Sequence, residues 1–464
     1  MNQVCGVCGV FQPSSRMADL TSVLEDMTVA LRHRGPDYSD VWVAPSGEVA
    51  FGHSRLAIVD VSQAGSQPMS SANGRWTITY NGEIYNSDAL RDRLPSVRWR
   101  GHSDTEVLVE HIARHGVSET LRAAKGMFAF GCWDAKESEL WLARDRFGEK
   151  PLYYGQHQGS VIFASELKAL RAIPGFNPDI DRQALAEYFR WTNVPSPMTI
   201  YEGVHKLPPA HYLRVSDRAG VSDPEPYWSV LDVAGSASSL PDGVDAVDHL
   251  ETVLDEAVHS QMTSDVPLGA FLSGGVDSSS VVASMQRQSP DPVRTFTIGF
   301  SEASYDESGY AAEVAAALGT DHTDLVVSPD DAMRVIPDLP RVFDEPFADS
   351  SQIPTYLVSQ MARKHVTVAL SGDGGDELFG GYDRYQQVER LERLRRVLPG
   401  SIRRTLGATV ERLPVDAWDR LGRLLPRPMV PSGLRHRTGY RMHKVARLLV
   451  ADGAQDVYAS LMSI

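Results

Sequence analysis

The chain has 464 residues, 23% of them charged and 42% apolar, which is enough material for two or three domains with real cores. Acidic residues outnumber basic ones by 60 to 45, and the formal charge of -15 opposes a phosphate backbone, so nucleic acid is excluded as the main partner while a local nucleotide pocket is not. No apolar run approaches the roughly 20 residues of a membrane helix, and the opening MNQVCGVCGVF lacks the basic start and long apolar run of a secretory leader.

In chain order, the first part reads as short strands between turn residues. The runs at 41–45, 49–60, 75–86, 127–134, 139–145 and 152–155 are apolar, β-branched or aromatic. Helical patterns fall at 17–31, 88–94 and 105–115, so mixed sheets covered by helices are expected. Between 215 and 246 the texture turns to Ser, Gly, Pro and Asp and reads as loop and linker. From 248 the rhythm is helix, strand, helix: a helix at 248–262, a strand at 267–272, a helix after Asp277, a strand at 295–300, a helix at 307–318 and a strand at 365–372. Short buried strands between helices imply a mostly parallel sheet that binds ligands at its strands' carboxyl ends. The Arg-rich helical tract at 390–413 reads as a solvated face. The expected domains are therefore 5–205, a connecting segment at 206–247, and 248–464.

The three cysteines, Cys5, Cys8 and Cys132, are too few for a disulfide scaffold and point to a reducing cytoplasm. A cysteine in an apolar strand is ordinarily core, and Cys8 and Cys132 are read that way; no second cysteine pair exists to build a zinc site with Cys5 and Cys8. Cys5 is different if it stands at a mature N-terminus. Its α-amine, with a reference pKa near 8, can take the thiol proton and later protonate a leaving amine. This requires loss of the four preceding residues, by processing or a later start. Amide hydrolysis further needs an anion hole, which the Asn81 side-chain amide and the Gly82 N–H can supply within NGEIYN. Arg55 can grip an α-carboxylate with two N–H groups, and Asp104 or Glu83 can pair with an ammonium. Each has a plain structural rival: Asn-Gly as a hairpin turn, Arg55 as a surface residue, Asp104 as a helix N-cap.

Taken together, CGVCGVF, LRHRGPD, GHSRLAIVD, NGEIYN, SDTEVL, RDRFGEKPLYYG and FASELKAL give the sequence a resemblance to class II glutamine amidotransferases, and more closely to the glutamine-hydrolysing asparagine synthetase family. The resemblance implies an α+β N-terminal-nucleophile glutaminase sandwich (αββα) followed by an α/β ATP-pyrophosphatase-like parallel-sheet domain. In it Cys5 is the nucleophile, Asn81 and Gly82 the oxyanion hole, and Arg55, Asn81, Glu83 and Asp104 the glutamine binders. In the family the nucleophile normally follows the initiator methionine.

In the second half, GAFLSGGVDSSSV runs from an apolar strand through Ser273, Gly274 and Gly275 into a helix opening with Asp277 and Ser278. Glycines admit phosphate oxygens to the backbone, and the first helical turn offers unpaired N–H groups to the anion. Asp277 would repel phosphate without a cation, which argues for Mg²⁺. No Gly-Lys-Ser/Thr follows, so this is not a Walker-type loop. It resembles the pyrophosphate loop of ATP pyrophosphatases, and the resemblance adds Leu272 and Ile298 as backbone contacts to adenine. A second acidic Gly-rich turn carries Gly372, Asp373, Asp376 and Glu377. Gly372 would approach the nucleotide, Asp376 would share Mg²⁺ with Asp277, and Asp373 and Glu377 are acceptor or proton-transfer candidates. The family usually has Glu at the position of Asp373.

The family reaction joins ATP, L-glutamine and L-aspartate through an acyl-adenylate, with ammonia passing inside the protein; apolar segments at 188–207 are expected to form part of the interface on its route. Amidation of another carboxylate, or a catalytically impaired nucleotide-binding homologue, stands as the alternative, and a homodimer is left open. Family members normally continue beyond the last segment here, into a region bearing an adenylation lysine. Lys444 precedes that region and is not its substitute, so a fragment or a shortened synthetase domain is expected.

Overall fold

A computed structural model of the chain describes residues 4–12, 19–236, 240, 243–301, 306–397, 399–424 and 438–463. The chain divides into two compact units, Met1–Tyr188 with Asn193–Gly372, and Phe189–Thr192 with Asp373–Ile464. The strands in chain order are β1 Gly6–Phe11, β2 Tyr38–Val43, β3 Val49–Arg55, β4 Met69–Ser70, β5 Trp76–Ile84, β6 Gly126–Asp134, β7 Glu139–Arg144, β8 Tyr153–His157 and β9 Ser160–Ala164. They continue with β10 Val204–Lys206, β11 His211–Ser216, β12 Gly220–Val221, β13 Glu225–Pro226, β14 Leu268–Phe271, β15 Arg294–Phe300, β16 Asp321–Val327 and β17 Val368–Leu370. All belong to the first unit.

Two antiparallel sheets form the N-terminal part. One runs β10-β8-β9-β1-β3-β2; the other runs β12-β11-β7-β6-β5-β4, with β13 paired to β11. Strand alternation explains how they stack. Val7, Phe11, Val49 and Phe51 of the first sheet meet Ala129, Trp133, Leu140, Leu142 and Leu213 of the second in one buried layer. The opposite face of the first sheet, with Cys8 and Val10, packs on Leu20, Leu24 and Met27 of helix Leu20–Ala30. The outer face of the second, with Ile78, Tyr80 and Phe130, packs on Val107, Leu108 and Ile112 of helix Asp104–His115. These layers are the αββα sandwich. Gly9 lies in its middle, where a Cβ would come within 2.4 Å of the Phe163 ring, so only glycine lets that ring cross β1.

β14 to β17 form a parallel sheet in the order β16-β15-β14-β17, the α/β arrangement expected after the sandwich. Helices Ala246–Gln261, Val276–Gln288, Ser308–Leu318 and Gln352–Ala362 alternate with its strands. Residues 211–227 differ from their composition: part of this stretch reads as linker, yet it supplies β11, β12 and β13 and ends in the buried Tyr227. The two-residue edge strands β12 and β13 pair through their backbones and need no apolar side chains, which hides them from a hydrophobicity pattern.

The second unit is helical among its described residues. A Cβ on Gly407 would lie 2.6 Å from Val450, so helices Gly400–Glu411 and Thr438–Val450 meet at that glycine. The arginine tract is not wholly solvated. Arg395 is buried and donates to Gly453 O at 3.2 Å, and Arg403 donates to Leu449 O at 3.1 Å, covering carbonyls at a helix end. Lys444 likewise donates to Leu461 O at 2.9 Å and Ser463 O at 3.3 Å.

Candidate active site

Cys5 directly precedes β1, and Arg55 ends the neighbouring β3. Asn81, Gly82 and Glu83 lie within β5, and Asp104 opens helix Asp104–His115. These six side chains or backbones line a single cavity of about 360 Å³. Asn81 and Gly82 pair with Ala129 and Phe128, so the Asn-Gly step is strand and not a hairpin turn. A Cβ at Gly82 would sit 2.3 Å from Met127 O, and glycine is what the strand spacing permits. Asn81 is 1% exposed, and its Nδ2 is buried with no hydrogen-bond partner. A buried amide donor left unpaired costs about 1–3 kcal/mol, and one aimed into a cavity is suited to an oxygen that arrives with the substrate.

The other groups are held firmly. Arg55 is buried and donates to Ser62 O at 2.9 Å and to Asp60 O. Asp104 accepts from Tyr80 Oη at 2.7 Å and from Ile84 N at 2.9 Å; Ser103 takes the N-cap position, so Asp104 is free of that task. Burial raises the Asp104 carboxyl above its ordinary range. Glu83 is pushed up to about 7, first by burial and then by the nearby Asp104 charge, with Lys150 opposing. Two buried carboxyls, one of them raised further by the charge of the other, form a place where an ammonium is welcome. The Cys5 thiol is also raised, chiefly by burial, against its contact to Leu56 O at 3.5 Å and the charges of Arg55, Lys150 and Arg34. It therefore rests as the thiol and needs a base when it attacks. Cys8 is turned into the core beside Thr28 and raised to about 12, and Cys132 is buried in the other outer layer.

Sequence reading passed over Lys150. It lines the same cavity, is largely buried, and has its ammonium depressed by burial and by Arg34. The Asp145 carboxylate shapes its turn, accepting from Phe128 N at 3.1 Å, Phe147 N at 3.1 Å, Glu149 N at 2.9 Å and Lys150 N at 2.9 Å. The signal in the sequence is the aspartate and lysine of RDRFGEKPLYYG, five residues apart. The cavity also reaches Phe271 of β14 and Ala362, Val366, Val368 and Ala369, so its far wall is the edge of the parallel sheet. Nearby, Lys206 pairs with Glu345, and Ile200 N donates to Glu345 at 3.3 Å, so these two residues contact the second half of the chain.

At the nucleotide loop, Leu272 follows β14. Its side chain is core, its N–H donates to Phe296 O at 2.9 Å, and its carbonyl already accepts from Thr297. Ile298 lies in β15 opposite Leu325 of β16. Ser273 and Ser278 hydroxyls meet at 2.9 Å, and Gly275 N donates to Ser273 Oγ at 3.3 Å. Gly274 has φ +79, and its Cβ would lie 2.7 Å from Tyr310, so glycine is required by both backbone and space. Helix Val276–Gln288 begins at Gly275 with no side chain capping it, and Asp277 lies in its first turn. Gly372 closes in on the same turn, where a Cβ would be 2.7 Å from Ser278 N. The cradle thus fits a phosphate group. Asp373, Asp376 and Glu377 belong to the second unit, where Glu377 accepts from Tyr382 Oη at 2.9 Å. Among the described residues no three His, Cys, Asp or Glu side chains converge on a metal position.

An αββα sandwich with a cysteine-lined cavity and a glycine-rich loop at a helix start thus stand on one chain. A glutamine amidotransferase domain model matches residues 4–228 and an asparagine synthase model matches residues 249–459. The chain is 37% identical over 401 residues to asparagine synthetase [glutamine-hydrolyzing] 1 of Bacillus subtilis, covering 86% of this chain and 62% of that protein. It is 35% identical over 413 residues to a putative asparagine synthetase [glutamine-hydrolyzing] 2 of Methanocaldococcus jannaschii, covering 85% and 78%. Amidase chry2 of Gibberella zeae is 31% identical over 389 residues, covering 79% and 57%. The chain belongs to the glutamine-amidotransferase-plus-synthetase family that contains the glutamine-hydrolysing asparagine synthetases. No helix among the described residues is long and apolar enough to cross a membrane.

Proposed function

We propose that this chain releases ammonia from L-glutamine at Cys5 and uses it to amidate a carboxylate that ATP has activated, with L-aspartate the acceptor and L-asparagine the product. The observation that carries this reading is the convergence of Cys5, Arg55, Asn81, Gly82, Glu83 and Asp104 on one cavity whose far wall belongs to the parallel sheet.

In the pocket, Arg55 holds the glutamine α-carboxylate while Glu83 and Asp104 face its ammonium. With Cys5 as first residue, its α-amine takes the thiol proton as sulfur attacks the side-chain carbonyl carbon. Asn81 Nδ2 and Gly82 N–H stabilise the oxyanion, and the protonated amine returns the proton to the departing nitrogen. Water then cleaves the thioester to give glutamate. An amine acylated by Val4 cannot perform this proton transfer. Ammonia leaves along the wall formed by Phe271, Ala362, Val366 and Val368, which offers it few hydrogen bonds and sheltered passage.

At the second site, Gly274, Gly275, Gly372 and the Val276–Gln288 helix start hold ATP phosphates, assisted by Ser273 and Ser278, while the backbone at Leu272 and Ile298 meets adenine. Asp277 and Asp376 each offer a carboxylate suited to Mg²⁺, which when bound neutralises phosphate charge. The acceptor carboxylate attacks the α-phosphorus, pyrophosphate departs, and ammonia displaces AMP from the acyl-adenylate. Asp373 and Glu377 are assigned to acceptor binding or proton transfer.

The kinship to a protein named an amidase favours testing other acceptors as well. Glutamate, AMP, pyrophosphate and amide are measured with L-aspartate and with a panel of carboxylic acids. Stoichiometric asparagine and AMP support the aspartate reading; amide from a different acid replaces it; AMP-free, glutamate-free turnover with every acid rejects the ligase.

A further inference from the structure

We infer that Asp265, outside the cavity, is a positioning residue for the glutamine pocket; the inference rests on the reading of that pocket given above. Asp265 lies three residues before β14, on the stretch leading into the nucleotide sheet, and its bonds all end on the sandwich. Its N–H donates to Ile58 O at 3.0 Å. Its Oδ2 accepts from Asp60 N at 2.7 Å and contacts His102 Nε2 at 2.7 Å. Both partners are joined to pocket residues. Asp60 and Ser62 carbonyls receive the Arg55 guanidinium, and His102 stands two residues before Asp104.

The intervening loop has little slack through which a displacement could be absorbed. Asp60 has φ +53, an unfavourable region for a residue with a side chain. Its carboxylate is 2% exposed and accepts from His102 N at 2.9 Å, Ser62 N at 3.2 Å and Ser62 Oγ at 2.5 Å. A Cβ on Gly101 would lie 2.1 Å from Asp60 Oδ2, and one on Gly65 would lie 2.3 Å from Arg55 Nη2. Ile58, Val59 and Gly65 are themselves cavity walls. Asp265 thus fixes, from the nucleotide-binding half, the loop that aims Arg55 and, through His102, the entry to Asp104.

A general stabilising role accounts poorly for this arrangement. The Asp265 and His102 side chains are 40% and 62% exposed, and ion pairs that open to solvent contribute little to stability. The bonds to the Asp60 and Ile58 backbone, by contrast, end on the pocket loop. Losing them should appear in glutamine affinity before it appears in folding.

The test compares Asp265→Ala and Asp265→Asn with the parent protein by hydrogen exchange of the 57–65 amides and by the kinetics of glutamate release. Asp265→Ala is expected to speed exchange in that segment and to raise the glutamine KM about tenfold, the effect of one charge-assisted hydrogen bond, with kcat within about twofold. Asp265→Asn, whose amide oxygen still accepts from Asp60 N, is expected to keep most of the affinity. Unchanged exchange in Asp265→Ala, or a fall in kcat with KM preserved, overturns the inference. Should the parent release no glutamate at all, the reading of the pocket fails, and the exchange data still decide whether Asp265 holds the loop.

Discussion

Glu83 offers a titratable test of how the pocket receives an ammonium. Its carboxyl is lifted from 4.5 to about 7, mostly by burial and next by Asp104. At about 1.36 kcal/mol per pH unit this corresponds to roughly 3 kcal/mol held against ionisation. The sign follows from the raised value: stability is fully present below the ordinary carboxylate range and falls as pH rises through about 7. A bound ammonium reverses that preference, so glutamine should bind the ionised form. That form makes up about a tenth of molecules at pH 6 and about nine tenths at pH 8, which predicts a roughly ninefold fall in Kd. Calorimetric titration of glutamine into Cys5→Ala avoids turnover, and the residue 5 α-amine is common to both proteins compared. Cys5→Ala with Glu83→Gln should bind more weakly, with the pH dependence largely gone, and should be more stable than Cys5→Ala alone above pH 7. Equal slopes for the two proteins would refute the placement of Glu83 against the substrate ammonium.

Asn81→Ala removes a buried donor and should lower glutamate release about 10²- to 10³-fold in kcat while leaving the glutamine KM within about threefold, measured by steady-state kinetics. Lys150→Met removes a charge that lowers the Cys5 thiol pKa, so the pH profile of Cys5 alkylation should move to more alkaline values. Gly372→Ala forces a methyl to within 2.7 Å of Ser278 N and should abolish ATP-dependent pyrophosphate release while glutamate release persists, read by assaying the two products separately.

The layered fold was legible because its strands are long apolar runs and its helices carry one apolar face. VAFGHSR and MFAFGCWD announce themselves, and so does the alternation after 248. What escaped was held by backbone pairing or by charge: β12 and β13 have no apolar pattern, and Arg395 and Arg403 look solvated until the carbonyls they cover are in place. The glutamine pocket was legible residue by residue through its motifs, yet the unpaired Asn81 amide and the raised Glu83 are properties of burial that no spacing encodes. Lys150 illustrates the same limit, since its nearness to Cys5 arises from Asp145 organising a distant turn.

The most direct measurement compares amide synthesis driven by glutamine with that driven by ammonium in Cys5→Ala. The account predicts that the first disappears and the second stays within about twofold of the parent. Parallel loss of both, or glutamine-driven synthesis that survives without the Cys5 thiol, would contradict a protein in which nitrogen is freed at one site and consumed at another.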